Sequence, residues 1–156
     1  MKALICGSFD PITNGHIDLI KRAADIFGDV TVGVFINPDK KYLFSANERA
    51  EMISKATKDI KGVTVIVNDG YVVDYCEQNG ISVIVKGLRS TADYEYETDM
   101  AIFNKRRAPK IETVFFPAYD DVANISSSQI RQMHQNGEDI SALVPPCVKE
   151  AFDTLK

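Results

Sequence analysis

Residues 3–16 read ALICGSFDPITNGH, and this stretch decides the fold. The apolar run at residues 3–6 predicts a buried strand, and residues 7–16 then turn through Asp10-Pro11 into a helical pattern. A loop that joins a strand to a helix start is where an α/β protein commonly binds phosphate, because the backbone N–H groups of the first helical turn attract anions. The sequence therefore predicts a phosphate site at residues 7–16.

Length and composition indicate one soluble domain. The chain has 156 residues, 45% of them hydrophobic, which is enough for a single core. A net charge of −4 gives no general positive field for nucleic acid or an anionic membrane. The three cysteines, Cys6, Cys76 and Cys147, are widely spaced, odd in number and without a CxxC pair, which argues against a disulfide framework and a zinc site. With no signal peptide or membrane-length apolar stretch visible, we expect a single cytoplasmic domain over residues 1–156.

Five apolar runs predict five strands, at residues 3–6, 30–36, 63–67, 81–85 and 113–116. The runs are continuous rather than alternating, which is typical of parallel strands buried on both faces. Helical patterns lie between them: one ends before Gly28, one begins with a capping box at Ser45 and Glu48, and Pro145-Pro146 precede a last short helix. We predict a doubly wound, Rossmann-like α/β fold, a five-stranded parallel sheet with helices on both faces.

Polar loops follow four of the predicted strands, at residues 7–16, 37–41, 86–90 and 120–131. Ligands of an open parallel sheet bind beyond the carboxyl ends of its strands. We therefore expect four side chains to form a positive pocket for a polyphosphate: His16, Lys40, Lys86 and Arg89. The sequence has neither GxGxxG nor GxxxxGK[ST]. These are the main motifs that would indicate a dinucleotide-dependent dehydrogenase or a P-loop ATPase, so neither interpretation is favoured.

Two segments carry a family resemblance. Residues 7–16 resemble the GxFDPxxxGH signature of the nucleotidyltransferase superfamily, and residues 125–131, ISSSQIR, are similar to its ISSTxIR-type segment, which cradles the β and γ phosphates at a helix start. Residues 38–41, residues 86–97 and Asn104 extend the resemblance, over essentially the whole chain, to the bacterial phosphopantetheine adenylyltransferase family. Ser8 stands where that family usually has Thr, and Lys86 where it often has Arg.

The resemblance implies an activity: ATP and 4′-phosphopantetheine give dephospho-CoA and pyrophosphate, the penultimate step of coenzyme A biosynthesis, by direct in-line attack. It implies catalytic roles for His16, Lys40 and Arg89. The ATP-binding residues that it implies are Ser8, Phe9, His16, Gly87, Leu88, Arg89, Glu97, Val122, Ala123, Asn124, Ile125, Ser126, Ser127 and Ser128. Those implied for phosphopantetheine are Ser8, Lys40, Val72, Lys86 and Asn104. It also implies Mg²⁺ carried mainly by ATP without dedicated protein ligands, a homohexamer, and feedback inhibition by CoA.

Several other residues are expected to have structural or solvent-exposed roles. His134 and Lys41 are predicted to lie on the surface, and the cysteines to be small buried apolar residues. Asp10 is expected to shape the turn and Asp18 to cap or solvate the first helix, neither with a catalytic role. Ser126, Ser127 and Ser128 suit a helix cap as well as a phosphate site. Among Asp93, Glu95 and Glu97 we expect at least one plain surface carboxylate.

Two other classes of function remain open at this point. A nicotinamide-mononucleotide adenylyltransferase or a glycerol-phosphate cytidylyltransferase would share both phosphate motifs, although neither accounts for residues 86–97 as well. A regulatory module that binds nucleotide without turnover would also keep these motifs.

Overall fold

The computed structural model describes residues 1–119 and 125–155. Its strands are β1 (Lys2–Gly7), β2 (Asp29–Phe35), β3 (Val63–Asn68), β4 (Val83–Leu88) and β5 (Glu112–Pro117). Its helices are α1 (Asn14–Phe27), α2 (Ala46–Thr57), α3 (Val72–Asn79), α4 (Thr91–Arg107), α5 (Ser127–Gln135) and α6 (Pro146–Thr154). Within these ranges, every helix is too short or too polar to cross a membrane.

The five strands form one sheet in the order β3-β2-β1-β4-β5, and every pair is parallel. The chain moves outward from β1 to β2 and β3, and then returns to place β4 on the other side of β1. The strand order therefore reverses between β1 and β4. In sheets of this kind, that reversal opens a crevice at the carboxyl ends of the two strands, where ligands bind. The predicted parallel sheet is confirmed.

Helices cover both faces of the sheet. Because successive strand residues point to opposite faces, Ile5 lies in a larger core and Leu4 in a smaller one. The larger core takes apolar side chains from α1, α2, α5 and α6, among them Ile20, Ile53, Ile130 and Phe152. The smaller core takes Val73 and Cys76 from α3, and Ala108 just after α4. The predicted doubly wound arrangement is therefore confirmed.

Four predicted strands agree with the structure to within one residue at each end, and β4 does not. The structure places Lys86, Gly87 and Leu88 inside β4, where they pair with residues 115–117 of β5, so their prediction as loop residues is wrong. Lys and Gly have weak strand preference, and pairing with a neighbouring strand overrides it here. Consequently Lys86 and Gly87 are held by the sheet itself.

The predicted helix boundaries depend on identifiable caps. Thr13 caps α1, and Gly28 ends it with φ 75°, a left-handed conformation that suits glycine. The capping box of Ser45 and Glu48 at the start of α2 is confirmed. Asp18 does not cap α1, and its exposed carboxylate lies 3.2 Å from Arg22 Nη1.

Some single-residue predictions need correction. His134 is half-buried rather than on the surface, because its ring packs 4.5 Å from the ring of Phe152. All three cysteines are free, but only Cys76 is fully buried, while Cys6 and Cys147 are half-buried.

Candidate active site

A cavity of about 300 Å³ opens at the carboxyl ends of β1 and β4, where the strand order reverses. Ten predicted site residues line it: Phe9, His16, Lys86, Gly87, Arg89, Glu97, Ile125, Ser126, Ser127 and Ser128. Five others lie outside its wall: Ser8, Lys40, Val72, Leu88 and Asn104. Val122, Ala123 and Asn124 lie outside the described residues. The ligand contacts of all of these residues stay predictions.

The first loop is shaped by close packing around Phe9. This buried residue has φ 48°, a left-handed conformation that bulky side chains rarely adopt. Its ring meets the imidazole of His16 edge to face, with centroids 5.0 Å apart. A Cβ at Gly7 would lie 3.3 Å from the Phe9 ring, so this close approach favours glycine. The loop thus packs a buried aromatic ring against the imidazole of His16.

Hydrogen bonds fix the tautomer of His16. The backbone N–H of Thr13 donates to Nδ1 at 3.0 Å, and the Thr13 hydroxyl lies 3.1 Å from the same atom. A backbone N–H can only donate, so Nδ1 carries a lone pair and the proton of the neutral ring is on Nε2. Burial, together with the positive charge of Arg89, lowers the pKa of His16 to about 4. At neutral pH His16 is therefore an uncharged donor through Nε2–H.

Three cations line the cavity, and each is paired with a carboxylate. Arg22 Nη1 lies 3.2 Å from Asp18 Oδ2, Lys86 Nζ 3.4 Å from Glu97 Oε2, and Arg89 Nε 3.0 Å from Asp93 Oδ2. Of the four side chains expected to make the pocket positive, Lys86 and Arg89 line it beside carboxylates, His16 is neutral at pH 7, and Lys40 is exposed outside the wall. A polyphosphate must share these cations with the carboxylates that already hold them.

Lys86 keeps its charge although the site shields it from water. The nearby sulfur of Cys6, followed by the Glu97 carboxylate, raises the pKa of Lys86 above its usual value against the opposing effect of burial. Asp93 and Glu97 are thus partners of cations in the site. Glu95 is the exposed surface carboxylate expected from this segment.

The start of α5 forms another part of the cavity wall. Ser126 caps the helix by accepting from Gln129 N at 3.1 Å, which confirms the predicted cap. The first amides of a helix have no intrahelical acceptor, so the N-terminus of α5 can donate to an anion in the cavity. Two hydrogen bonds attach this segment to the first loop: Ser127 Oγ donates to Pro11 O at 2.7 Å, and Arg131 Nη1 to Asp10 O at 2.5 Å.

Arg22 is a cavity residue that the sequence analysis missed. Its guanidinium lies 5.1 Å from the ring centre of Phe116 and 4.5 Å from that of Tyr119, and Nη1 donates to Pro117 O at 2.9 Å. It therefore fixes the end of β5 beside the cavity. Helical spacing could have found it, because residues 15, 18, 19 and 22 lie on one face of α1 and all line the cavity.

The same sequence features occur in known proteins. The cytidylyltransferase-like family matches residues 4–133, which include both phosphate motifs. A phosphopantetheine adenylyltransferase of Clostridium tetani is 48% identical, with 92% of this chain and 89% of the relative covered. A relative of the same name from Heliobacterium modesticaldum is 47% identical, with 94% of this chain and 87% of the relative covered. Another from Thermobifida fusca is 45% identical, with 96% of this chain and 92% of the relative covered.

This chain belongs to the phosphopantetheine adenylyltransferase family. The resemblance drawn from its motifs is confirmed, and membership of this family makes the chain a nucleotidyltransferase. A crystal structure from Vibrio parahaemolyticus, described as a nicotinate-nucleotide adenylyltransferase, is 17% identical and has a TM-score of 0.66 over 98% of each chain. At that identity it shows the shared fold alone.

Proposed function

We propose that this protein transfers the adenylyl group of ATP to 4′-phosphopantetheine, giving dephospho-CoA and pyrophosphate. The observation that carries the proposal is the meeting of His16 Nε2–H and the N-terminus of α5 in one cavity, in a chain of the phosphopantetheine adenylyltransferase family. A neutral imidazole donor and helix amides are suited to phosphate oxygens. This step belongs to coenzyme A biosynthesis as its penultimate reaction.

The chemistry needs no general base. The phosphate of phosphopantetheine is already anionic, so one of its oxygens attacks the α-phosphorus of ATP directly. A new oxygen–phosphorus bond forms as the bond from the α-phosphorus to the bridging oxygen breaks, and the bonding electrons leave with pyrophosphate. Catalysis then consists of holding the reactants in line and stabilising the charge on the phosphoryl oxygens.

Each part of the site has a role in this reaction. His16 donates from Nε2 to an oxygen of the α-phosphate. The amides at the start of α5, with Arg89, receive the β and γ phosphates as negative charge gathers on the leaving group. Lys40 extends from its exposed loop to bridge the attacking phosphate and ATP. Lys86, held by Glu97 at 3.4 Å, binds the acceptor side.

We also propose that Mg²⁺ enters with ATP. Among residues 1–119 and 125–155, no group of three or more His, Cys, Asp and Glu side chains is placed to hold a metal ion. This fits an ion coordinated by nucleotide oxygens and water, which is common for Mg²⁺. When bound, it offsets negative charge on the phosphates.

Turnover tests the proposal. The protein is incubated with ATP, Mg²⁺ and 4′-phosphopantetheine, and in parallel with nicotinamide mononucleotide or with CTP and glycerol phosphate, and products are separated by chromatography. We expect dephospho-CoA and pyrophosphate in equal amounts and no product from the other acceptors. Product only with another acceptor, or nucleotide binding without any pyrophosphate, would reject the proposed function.

Assembly and regulation are part of the same proposal. Helix α4 has no buried residue, and its exposed apolar side chains, Tyr94, Tyr96, Met100, Ile102 and Phe103, are suited to a subunit interface. We propose a homohexamer in the cytoplasm that CoA inhibits by competing with phosphopantetheine, whose pantetheine arm it shares. Light scattering tests the mass, and the dependence of inhibition on phosphopantetheine concentration tests the competition.

A further inference from the structure

Two buried charged residues have no part in the reaction as described above. Asp10 is 3% exposed and Arg49 is 1% exposed. A buried charge is costly unless it is paired and hydrogen-bonded. Asp10 is paired with Arg131, whose Nη1 lies 3.8 Å from Asp10 Oδ2. Both Asp10 and Arg49 form hydrogen bonds to residues 37–44, within the chain between β2 and α2. These residues carry Lys40 and are called the Lys40 segment below.

Asp10 holds the C-terminal end of the Lys40 segment. Its Oδ2 accepts from Leu43 N at 2.8 Å, and its Oδ1 accepts from Phe44 N at 2.9 Å. The carboxylate thus satisfies two consecutive backbone donors of a loop that has no strand or helix partner there. Asp10 lies three residues after the end of β1, so these bonds tie the Lys40 segment to the loop that leaves the central strand.

Arg49 holds the same segment from α2. Its Nη1 donates to Ser8 O at 2.6 Å, and its Nε donates to Phe44 O at 3.1 Å. The guanidinium also lies 4.0 Å from the ring centre of Tyr42, whose hydroxyl accepts from Asn37 N at 3.1 Å. Arg49 therefore joins the first loop to both ends of the Lys40 segment.

Lys40 is exposed, and no carboxylate lies within salt-bridge distance of it in the part of the chain that the structure describes. Its backbone N–H donates to Asn37 O at 3.1 Å, a bond within the segment itself. The position of Lys40 relative to the cavity therefore depends on how the segment is attached. That attachment is made chiefly by Asp10 and Arg49.

We propose that Asp10 is a positioning residue: its carboxylate, together with Arg49, places the Lys40 segment so that Lys40 reaches both substrates. The inference rests on the proposed function, because it assigns Asp10 a part in adenylyl transfer. Asp10 also contacts the nucleotide side, since its carbonyl accepts from Arg131, which in turn donates to Ser128 Oγ at 3.1 Å. Asp10 is thus bonded both to the segment that carries Lys40 and, through Arg131, to the start of α5, and it sets the distance between them.

The test is a double-mutant cycle of Asp10→Asn and Lys40→Ala, measured as kcat of dephospho-CoA formation. Asparagine keeps the size of the side chain but has one acceptor oxygen for the two amide donors. We expect Asp10→Asn alone to lower kcat by about tenfold, since small displacements of a catalytic group have effects of this size or more. In the Lys40→Ala background the same change should lower kcat by less than about twofold.

Several outcomes would contradict the inference. A similar fall in both backgrounds would show that Asp10 acts independently of Lys40, and an unchanged kcat in Asp10→Asn would remove its role. Absence of dephospho-CoA from the wild-type protein would instead reject the proposed function itself. Thr57→Ala is the matched control for stability: it deletes a buried hydrogen bond to Ile53 O elsewhere on α2 and should leave kcat unchanged.

Tyr42→Phe provides a second variant if Asp10→Asn does not fold. It removes only the hydroxyl that accepts from Asn37 N and leaves the ring beneath Arg49. We expect kcat to fall by about two- to threefold, an effect that disappears in the Lys40→Ala background. An equal fall in both backgrounds would again contradict the proposal.

Discussion

The two sides of the active site are built differently. The nucleotide side is formed by residues 7–16 and the start of α5. A buried aromatic ring packs against His16 there, and both helices that begin in it are capped. Hydrogen bonds also join its two segments, between residues 116 and 121 positions apart in sequence. The acceptor side, formed by the Lys40 segment, the start of α3 and α4, is mostly exposed, and Lys40, Val72 and Asn104 lie outside the cavity wall. The comparison indicates that residues 7–16 and the start of α5 form a preformed surface for the proposed ATP site, whereas the proposed acceptor side depends on how its loop is attached.

Replacing His16 should give the largest effect. His16→Ala removes the Nε2–H donor from the nucleotide side, and loss of one such donor typically lowers kcat by about 100- to 1,000-fold. Steady-state rates with both substrates saturating measure it. If kcat stays within a few-fold of wild type, the nucleotide side does not depend on this donor and the comparison fails.

Replacing Lys40 should give a smaller effect with a different signature. Lys40→Ala removes the cation proposed to bridge the two substrates, so we expect kcat/KM for phosphopantetheine to fall by about 10- to 100-fold. KM for ATP should change much less, because the cavity wall that receives ATP is unaltered. Lys41→Ala, one residue further along the same loop, is the matched control and should behave like wild type. An equal loss for both substrates would contradict the separation of the two sides.

The pKa of His16 predicts how stability depends on pH. The folded protein keeps His16 neutral down to about pH 4, whereas the unfolded chain takes up a proton near its ordinary pKa of 6.5. Below pH 6.5 the unfolded state binds more protons than the folded state, so the free energy of unfolding decreases as the pH falls from 6.5 to about 4. At pH 5 it is about 2 kcal/mol lower than at neutral pH.

Urea unfolding at pH 7.5 and pH 5 measures this effect. His16→Gln, whose amide oxygen can still accept from Thr13 N, should lose less stability between the two pH values than wild type does. Equal losses would mean that His16 titrates normally in the folded protein and that the nucleotide side is more hydrated than its burial indicates.

Two helix caps provide the smallest and most closely matched test. Ser126→Ala and Ser45→Ala each remove a hydroxyl that accepts from the third residue of its helix, and each should lower the free energy of unfolding by about 1 kcal/mol. Only Ser126 lines the cavity, so only its replacement should also raise KM for ATP. If KM for ATP rose in both variants, the rise would come from lost stability rather than from the position of Ser126 in the cavity wall.

The sequence predicts the sheet, and it predicts that residues of the first loop and of the start of α5 meet in one cavity, because both depend on local patterns. Continuous apolar runs mark the strands, and Ser45 with Glu48 marks a helix start. The extent of β4 escapes prediction because Lys86 and Gly87 become strand residues only by pairing with β5. Likewise, the pairing of Lys86 with Glu97 depends on the folded positions of β4 and α4.

Asp10 shows the limit most clearly. Sequence reasoning assigned it a turn, and it does lie in that turn, but its carboxylate accepts from residues more than thirty positions away. Arg49 reads as an ordinary helix cation, and its 1% exposure becomes visible only when the first loop packs over it. Charges buried by distant segments leave no periodic signal in the sequence.

The strand order also affects how the protein is made. The central strand β1 is synthesised first, but β4, its second neighbour, comes about eighty residues later, and the start of α5 later still. While it emerges from the ribosome, the chain therefore exposes one unpaired edge of its central strand, a surface that favours pairing with other chains. The cavity wall formed by the start of α5 is also absent at that stage. Docking of β4 onto β1 is therefore the step that covers this edge of the central strand.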